Sequence, residues 1–130
     1  MNKPFDLILC KTKVLAARVT ESKTRYWASL EMDSEILRAA GVYDYEKVLV
    51  VNVATGARME TYVKSAPAGS RRVVLAGGMA RLAEAGDEIG FLSFAVVSPE
   101  AAEHWKPKVV ALNPDNSIRS VTDGDPATWE

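Results

Sequence analysis

Short stretches of alternating apolar and polar residues recur along the chain, a pattern typical of β-strands with one buried face. It predicts strands over residues 6–20, 26–32, 46–53, 58–63, 71–76, 89–97 and 108–112. The polar cluster at residues 21–24 is predicted to be a turn. Residues 46–53 are almost continuously apolar, which predicts a strand buried on both faces. The short strands and frequent glycine breaks favour a closed or nearly closed β structure over a layered α/β sheet.

Short helical segments interrupt these strands. Asp33 or Ser34 is a suitable N-cap for a helix with an apolar stripe, and Gly41 follows its last apolar residue as a typical C-terminal glycine. A second short helix is predicted over residues 79–85. A helical turn begins at Ser98-Pro99, with proline in the first helical position.

The length of 130 residues fits one compact domain, which we assign to residues 1–119. Residues 120–130 are rich in polar residues, glycine and proline, and are predicted to be a mobile tail.

Charge and residue counts exclude several classes of function. Sixteen basic and seventeen acidic residues give a net charge of -1, which argues against nucleic-acid or membrane-surface binding through bulk charge. Cys10 is the only cysteine and His104 the only histidine, so no zinc site, and no metal site of any kind, is predicted. The apolar run at residues 7–10 is too short for a signal or membrane segment. We expect a cytoplasmic protein.

Familiar nucleotide and metalloprotease motifs are missing, and Gly77-Gly78 lacks the lysine of a phosphate-binding loop. A triad of Ser29, His104 and an aspartate is possible, but His104 fits a helix end or a packing position better than a general base.

Other polar side chains offer a different chemistry, since lysine and arginine are natural anchors for a small dicarboxylate. Each charge would, taken alone, also fit an ordinary surface position. The candidates are Ser29, Lys13, Arg58, Thr61 and Tyr62.

Residues spread over most of the chain match a known family in their order and spacing. The matching positions are Lys13, Arg18-Val19-Thr20, Tyr26, Ser29, residues 33–41, Asn52-Val53, Gly56-Ala57-Arg58, Thr61-Tyr62, Gly69-Ser70-Arg71, Gly77, Ala80, Gly86-Asp87, Ser93-Phe94 and Trp105-Lys106-Pro107. Together they resemble the pyruvoyl-dependent aspartate 1-decarboxylases.

The resemblance implies a double-psi β-barrel with short helices, assembled as a homotetramer with active sites between subunits. It also implies a proenzyme that cuts itself at Ala28-Ser29, so that Ser29 becomes a pyruvoyl group. Thr61 would activate the carbonyl of Ala28 during this step.

The implied reaction converts L-aspartate, or a related small amino acid, to β-alanine and CO2 through a Schiff base on the pyruvoyl group, without a metal. Lys13 and Arg58 would hold the substrate carboxylates, and Tyr62 would supply a proton. The substrate site would also include Tyr26, Gly77 and Gly78.

The chain departs from the family pattern where the chemistry should occur. Ala28 replaces a glycine and Ala76 an asparagine, while Leu15 and Val51 replace a histidine and a tryptophan. Two hypotheses therefore stand. The first is a self-processing decarboxylase, with or without a maturation partner. The second is an uncleaved or poorly cleaving paralogue that binds small molecules, serves as a partner subunit, or catalyses another reaction.

Overall fold

Strands account for most of the regular structure of this chain. The computed structural model describes residues 5–127. Within them lie β1 (Leu7–Arg18), β2 (Glu21–Lys23), β3 (Leu30–Asp33), β4 (Lys47–Asn52), β5 (Arg58–Ala66), β6 (Val73–Ala76), β7 (Glu88–Val97), β8 (Lys108–Leu112) and β9 (Ile118–Asp123). The helical elements are α1 (Ser34–Ala40), α2 (Pro99–Ala102) and a 3₁₀ helix at Gly77–Arg81.

The strand order is β2-β6-β3-β5-β4-β7-β1-β8-β9. Parallel pairs β1–β8, β2–β6 and β3–β5 join strands that are distant in sequence. Strand β7 pairs antiparallel with β1 on one side and with β4 on the other, and so joins β1, β8 and β9 to the remaining strands. The predicted mainly β fold, a double-psi β-barrel with short helices, is confirmed.

The core lies inside this barrel. Its largest fully buried side chains include Phe91, Leu30, Met32, Ile36 and Leu75. Because strand residues alternate in direction, each inner strand supplies every second side chain to the core.

Helix α1 forms where the sequence predicts it. The Asp33 side chain accepts a hydrogen bond from the Glu35 amide at 2.9 Å, and Gly41 ends the helix with φ of 70°. Asp33 also accepts bonds from the amides of Gly69 and Arg71, at 3.0 and 2.7 Å. One buried carboxylate thus fixes both the start of α1 and the loop before β6.

Three predictions about the strands are wrong. The polar segment 21–24 contains β2, because its backbone pairs with β6. Strand β4 is not buried on both faces: Val48 and Val50 are buried, whereas Leu49 and Val51 are only half-buried. The tail does not begin at residue 120, because β9 continues to Asp123 in antiparallel pairing with β8. Residues 128–130 of the predicted tail lie outside the described part of the chain.

Two predictions near the site also need correction. The second helix is a 3₁₀ helix at Gly77–Arg81 rather than a helix over 79–85. The chain turns soon afterwards, where the Asp87 side chain accepts a hydrogen bond from the Glu84 amide at 2.9 Å. Residues 26–29 form a loop instead of the start of a strand, and β3 begins only at Leu30. The carbonyl oxygen of Trp27 in this loop is bonded to a side chain, at 2.9 Å from Tyr62 Oη.

Candidate active site

Ser29 lies at the junction of the 24–29 loop and β3, where three elements meet. Its hydroxyl is hydrogen-bonded to the hydroxyl of Thr61 on β5. Its carbonyl accepts a bond from the Ala76 amide at the end of β6, at 2.7 Å. Ser29 is half-buried and Ala28 is buried, so the peptide bond between them is held against the barrel wall.

Parallel pairing explains why Thr61 and Tyr62 reach this peptide bond. Leu30 is in register with Val63, which places the two residues before Val63 beside the two before Leu30. The Tyr62 hydroxyl donates a hydrogen bond to the Trp27 carbonyl at 2.9 Å. Strand β5 therefore contacts the loop on both sides of Ala28.

The glycine pair after β6 closes the other side of the site. Gly77 has φ of 61°, a conformation that side chains with a Cβ rarely adopt. A Cβ at Gly77 would lie 4.0 Å from the Ala28 carbonyl oxygen, whereas one at Gly78 would meet nothing within 4 Å. Gly77, and not Gly78, therefore faces the peptide bond. Ala76 is fully buried beside them and offers no side-chain hydrogen-bond donor.

A pocket of about 240 Å³ opens beside Ala28. Its lining is mostly aromatic, with one acidic and one basic side chain, and consists of Tyr26, Trp27, Ala28, Glu31, Tyr45, Tyr62 and Lys64. A larger pocket of about 530 Å³ lies around the C-terminal end of α1 and contains none of the predicted site residues. Geometry therefore favours the smaller pocket as the functional one.

Known proteins match the chain over nearly its whole length. The family model described as aspartate decarboxylase matches residues 5–119. The chain belongs to the aspartate decarboxylase family.

Individual relatives agree with this assignment. A protein named aspartate 1-decarboxylase from Clostridium acetobutylicum is 39% identical over 92% of this chain and 94% of its own length. Another of the same name from Campylobacter jejuni is 42% identical over 91% of this chain and 93% of its own. One from Salinibacter ruber is 42% identical over 88% and 78%, respectively.

Within one chain, the candidate residues Lys13 and Arg58 lie apart from Ser29. Lys13 is on β1, where its ammonium group forms an ion pair with Asp125 at 2.7 Å. Arg58 begins β5 and is exposed, and its Nε donates a bond to the Gly56 carbonyl at 3.3 Å. Neither residue lines the pocket beside Ala28.

Lys64 is a pocket residue that the sequence analysis missed. Its ammonium group lies 3.1 Å from Asp44 and 4.5 Å from the centre of the Tyr45 ring. The hydrogen bond to Asp44 raises the pKa of Lys64. Burial acts to raise the pKa of Asp44, but hydrogen bonds from Ser65 and Lys64 outweigh it, and that pKa is lowered. The pair therefore stays charged at neutral pH and fixes Lys64 at the rim of the pocket.

Glu31 is the second residue that was missed. It lies on β3, in which every residue is buried, and its side chain is only 10% exposed. The sequence signal was a charged residue between Leu30 and Met32, in a stretch that had been assigned as a strand.

Within residues 5–127, no helix is long and apolar enough to cross a membrane. In the same part of the chain, no three His, Cys, Asp or Glu side chains are grouped as ligands for a metal ion.

Proposed function

We propose that this protein is a pyruvoyl-dependent aspartate 1-decarboxylase that produces its own cofactor by cutting the peptide bond between Ala28 and Ser29. The observation that carries the proposal is the contact between the hydroxyls of Ser29 and Thr61 at a buried, small-residue peptide bond. Membership of the aspartate decarboxylase family supports the reaction class.

The proposed cleavage begins at the Ser29 hydroxyl. Its oxygen bonds to the Ala28 carbonyl carbon as the peptide C–N bond breaks, which gives an ester and a free amine on Ser29. Loss of the Cα proton and departure of the Ala28 carboxylate leave a double bond in residue 29. One water molecule then replaces the nitrogen, which leaves as ammonia, and residue 29 ends as a pyruvoyl group.

The residues around the bond suit distinct parts of this reaction. Thr61 can orient the Ser29 hydroxyl and then donate to the developing oxyanion. The Ala76 amide fixes the Ser29 carbonyl at 2.7 Å. Gly77 leaves free space next to the Ala28 carbonyl oxygen. Thr61 acts from β5, Ala76 from the end of β6 and Gly77 from the start of the 3₁₀ helix, so regular structure positions each group before the reaction starts.

The pyruvoyl group fits the position of Ser29, because the preceding residue, Ala28, lines a pocket and the Thr61 hydroxyl beside Ser29 could hold a carbonyl oxygen. When present, such a group supplies an electron sink for loss of CO2 from an amino acid. Tyr62 would deliver a proton to the substrate once its bond to the Trp27 carbonyl is released. Tyr26 would form one wall of the substrate pocket.

Lys13 and Arg58 are proposed to bind the substrate carboxylates from a neighbouring subunit of a homotetramer. Both lie away from Ser29 in one chain, and both carry charge that a dicarboxylate requires. The substrate is L-aspartate or a related small amino acid, and the product from aspartate is β-alanine.

A second candidate function is that of an uncleaved or poorly cleaving relative that uses the same pocket to bind a small molecule. Ala76 favours it, because this buried side chain cannot donate a hydrogen bond to the reacting carbonyl. Loss of such a donor costs about 2.7–4 kcal/mol, or two to three decades in rate. The Ala28 Cβ adds about 1–2 kcal/mol if the precursor needs a left-handed backbone there.

Production of CO2 and β-alanine from L-aspartate tests the proposal. We expect activity to appear after prolonged warm incubation of purified protein and to be absent from Ser29→Ala protein treated alike. Failure to decarboxylate any small amino acid, despite complete cleavage, would reject the proposed reaction while leaving self-processing intact.

A further inference from the structure

A partly buried hydrogen bond spans the proposed cleavage position. The Tyr26 hydroxyl donates to Glu31 Oε2 at 3.0 Å. Tyr26 lies two residues before Ala28, and Glu31 lies two residues after Ser29. The bond therefore closes a loop of six residues around the peptide bond that would be cut.

Glu31 is itself held from the opposite side. Arg72, which precedes β6, places Nη2 3.1 Å from Glu31 Oε1 in an ion pair, although Oε1 accepts no hydrogen bond within the described residues. Strand β6 is paired with β3 so that Glu31 is opposite Val74. Since a carboxylate that is nine-tenths buried is costly without partners, the side chain has little freedom to leave this arrangement.

The same loop has two further attachments. Tyr62 binds the Trp27 carbonyl, and Thr61 binds the Ser29 hydroxyl. Both come from β5 and act on the loop backbone or on the nucleophile. The bond between Tyr26 and Glu31 is the one that links the two sides of Ala28 and Ser29 directly.

We propose that Glu31 is a positioning residue for self-processing, which holds the 24–29 loop through Tyr26 so that Ser29 Oγ faces the Ala28 carbonyl. This inference rests on the proposed self-cleavage. Reactions within a chain depend steeply on orientation, and a displacement of about 1 Å can cost about a hundredfold in rate. After cleavage, the same hydrogen bond would join the two fragments beside the pocket.

The rate of cleavage in single and double variants tests this role. Tyr26→Phe removes one oxygen from a half-exposed residue of a loop and should leave the fold intact, while Glu31→Ala removes the acceptor. We expect each variant to lengthen the half-life of the intact chain about tenfold, as measured by intact mass. The double variant should be no slower than the slower single, because both changes remove one shared interaction.

Two further variants separate positioning from general support of the fold. Glu31→Gln keeps an oxygen that can accept the tyrosine hydrogen bond, so it should cleave faster than Glu31→Ala. Glu21→Ala is the matched control, since Glu21 also lies near Arg72, at 3.9 Å, but belongs to β2 and is not bonded to Tyr26. It should cleave like the wild type.

The outcomes are distinct. If the wild type cleaves but the rate is unchanged in Tyr26→Phe, the proposed role of Glu31 would be rejected and self-processing would stand. The same holds if the effects of the two changes multiply in the double variant. A lower melting temperature in Glu31→Ala, with normal cleavage in Tyr26→Phe, would make Glu31 only a structural residue. A wild-type chain that never cleaves would reject the proposed self-processing and this inference together.

Discussion

The proposed active site has two ends, one at Ser29 and one at the charged residues Lys13 and Arg58. A single chain brings the required groups together at the first end but not at the second. Around Ser29, three strands and one loop bring a hydroxyl, a backbone amide and a glycine to the same peptide bond. Around Lys13 and Arg58, the charged groups contact Asp125 and the Gly56 carbonyl instead of the pocket. We therefore propose that self-cleavage is a property of one chain, whereas substrate binding requires an assembly.

The largest expected effect is the loss of cleavage without the Ser29 hydroxyl. Ser29→Ala should give no fragments at any incubation time, because no other group can form the ester. Thr61→Ala should slow cleavage by about two to three decades, since it removes a donor at the reacting centre. Gel electrophoresis over time measures both. Normal cleavage of Thr61→Ala would mean that Thr61, on β5, takes no part in the reaction at Ser29.

The opposite change should accelerate cleavage. Ala28→Gly combined with Ala76→Asn restores backbone freedom before the serine and adds an amide donor beside it, so we expect a rate increase of about two to three decades. Cleavage half-lives at one temperature provide the comparison. As a control, Gly78→Ala lies next to the site but meets nothing within 4 Å, and should leave the rate unchanged. An unaltered rate in the double variant would mean that neither residue limits the reaction.

Mixed assemblies test whether the Lys13 end belongs to a neighbouring subunit. Ser29→Ala chains cannot form the cofactor, and Lys13→Ala chains should bind substrate poorly. If sites are shared, co-expression of the two should restore decarboxylation well above either alone, since some interfaces then combine an intact Ser29 with an intact Lys13. An active monomer in native mass spectrometry, or no recovery in verified mixed assemblies, would contradict a shared site.

A smaller effect is expected at Arg58. Arg58→Lys keeps the charge but loses the planar fork that grips a carboxylate, so KM for a dicarboxylic amino acid should rise about tenfold. Cleavage rate and melting temperature should not change, because Arg58 is exposed and its Nε is bonded to the Gly56 carbonyl and not to Ser29. An unchanged KM in an active enzyme would make Arg58 an ordinary surface charge.

Local patterns predicted the parts of the fold whose cause is local. Helix α1 begins after Asp33 and ends at Gly41 as expected, because capping chemistry is encoded in neighbouring residues. Strand β8 has the predicted bounds. Strands β2 and β9 were missed because their polar sequences become strands only through pairing with β6 and β8.

The site was predictable only in part, for a similar reason. Family resemblance singled out Ser29, Thr61 and Tyr62, which the parallel register of β3 and β5 brings together. Residues 26–29 were assigned to a strand because their aromatic residues favour one, but side-chain bonds hold them as a loop. Glu31 and Lys64 were missed, since contacts between distant segments are not visible in a local pattern.

Intact mass of the purified wild-type chain, followed during warm incubation beside Ser29→Ala, tests the central claim most directly. The account predicts slow conversion to a fragment of residues 1–28 and a second of residues 29–130 whose first residue is a pyruvoyl group, with no conversion of the variant. A wild-type chain that remains whole would contradict it, whether or not the Ala28→Gly and Ala76→Asn double variant cleaves.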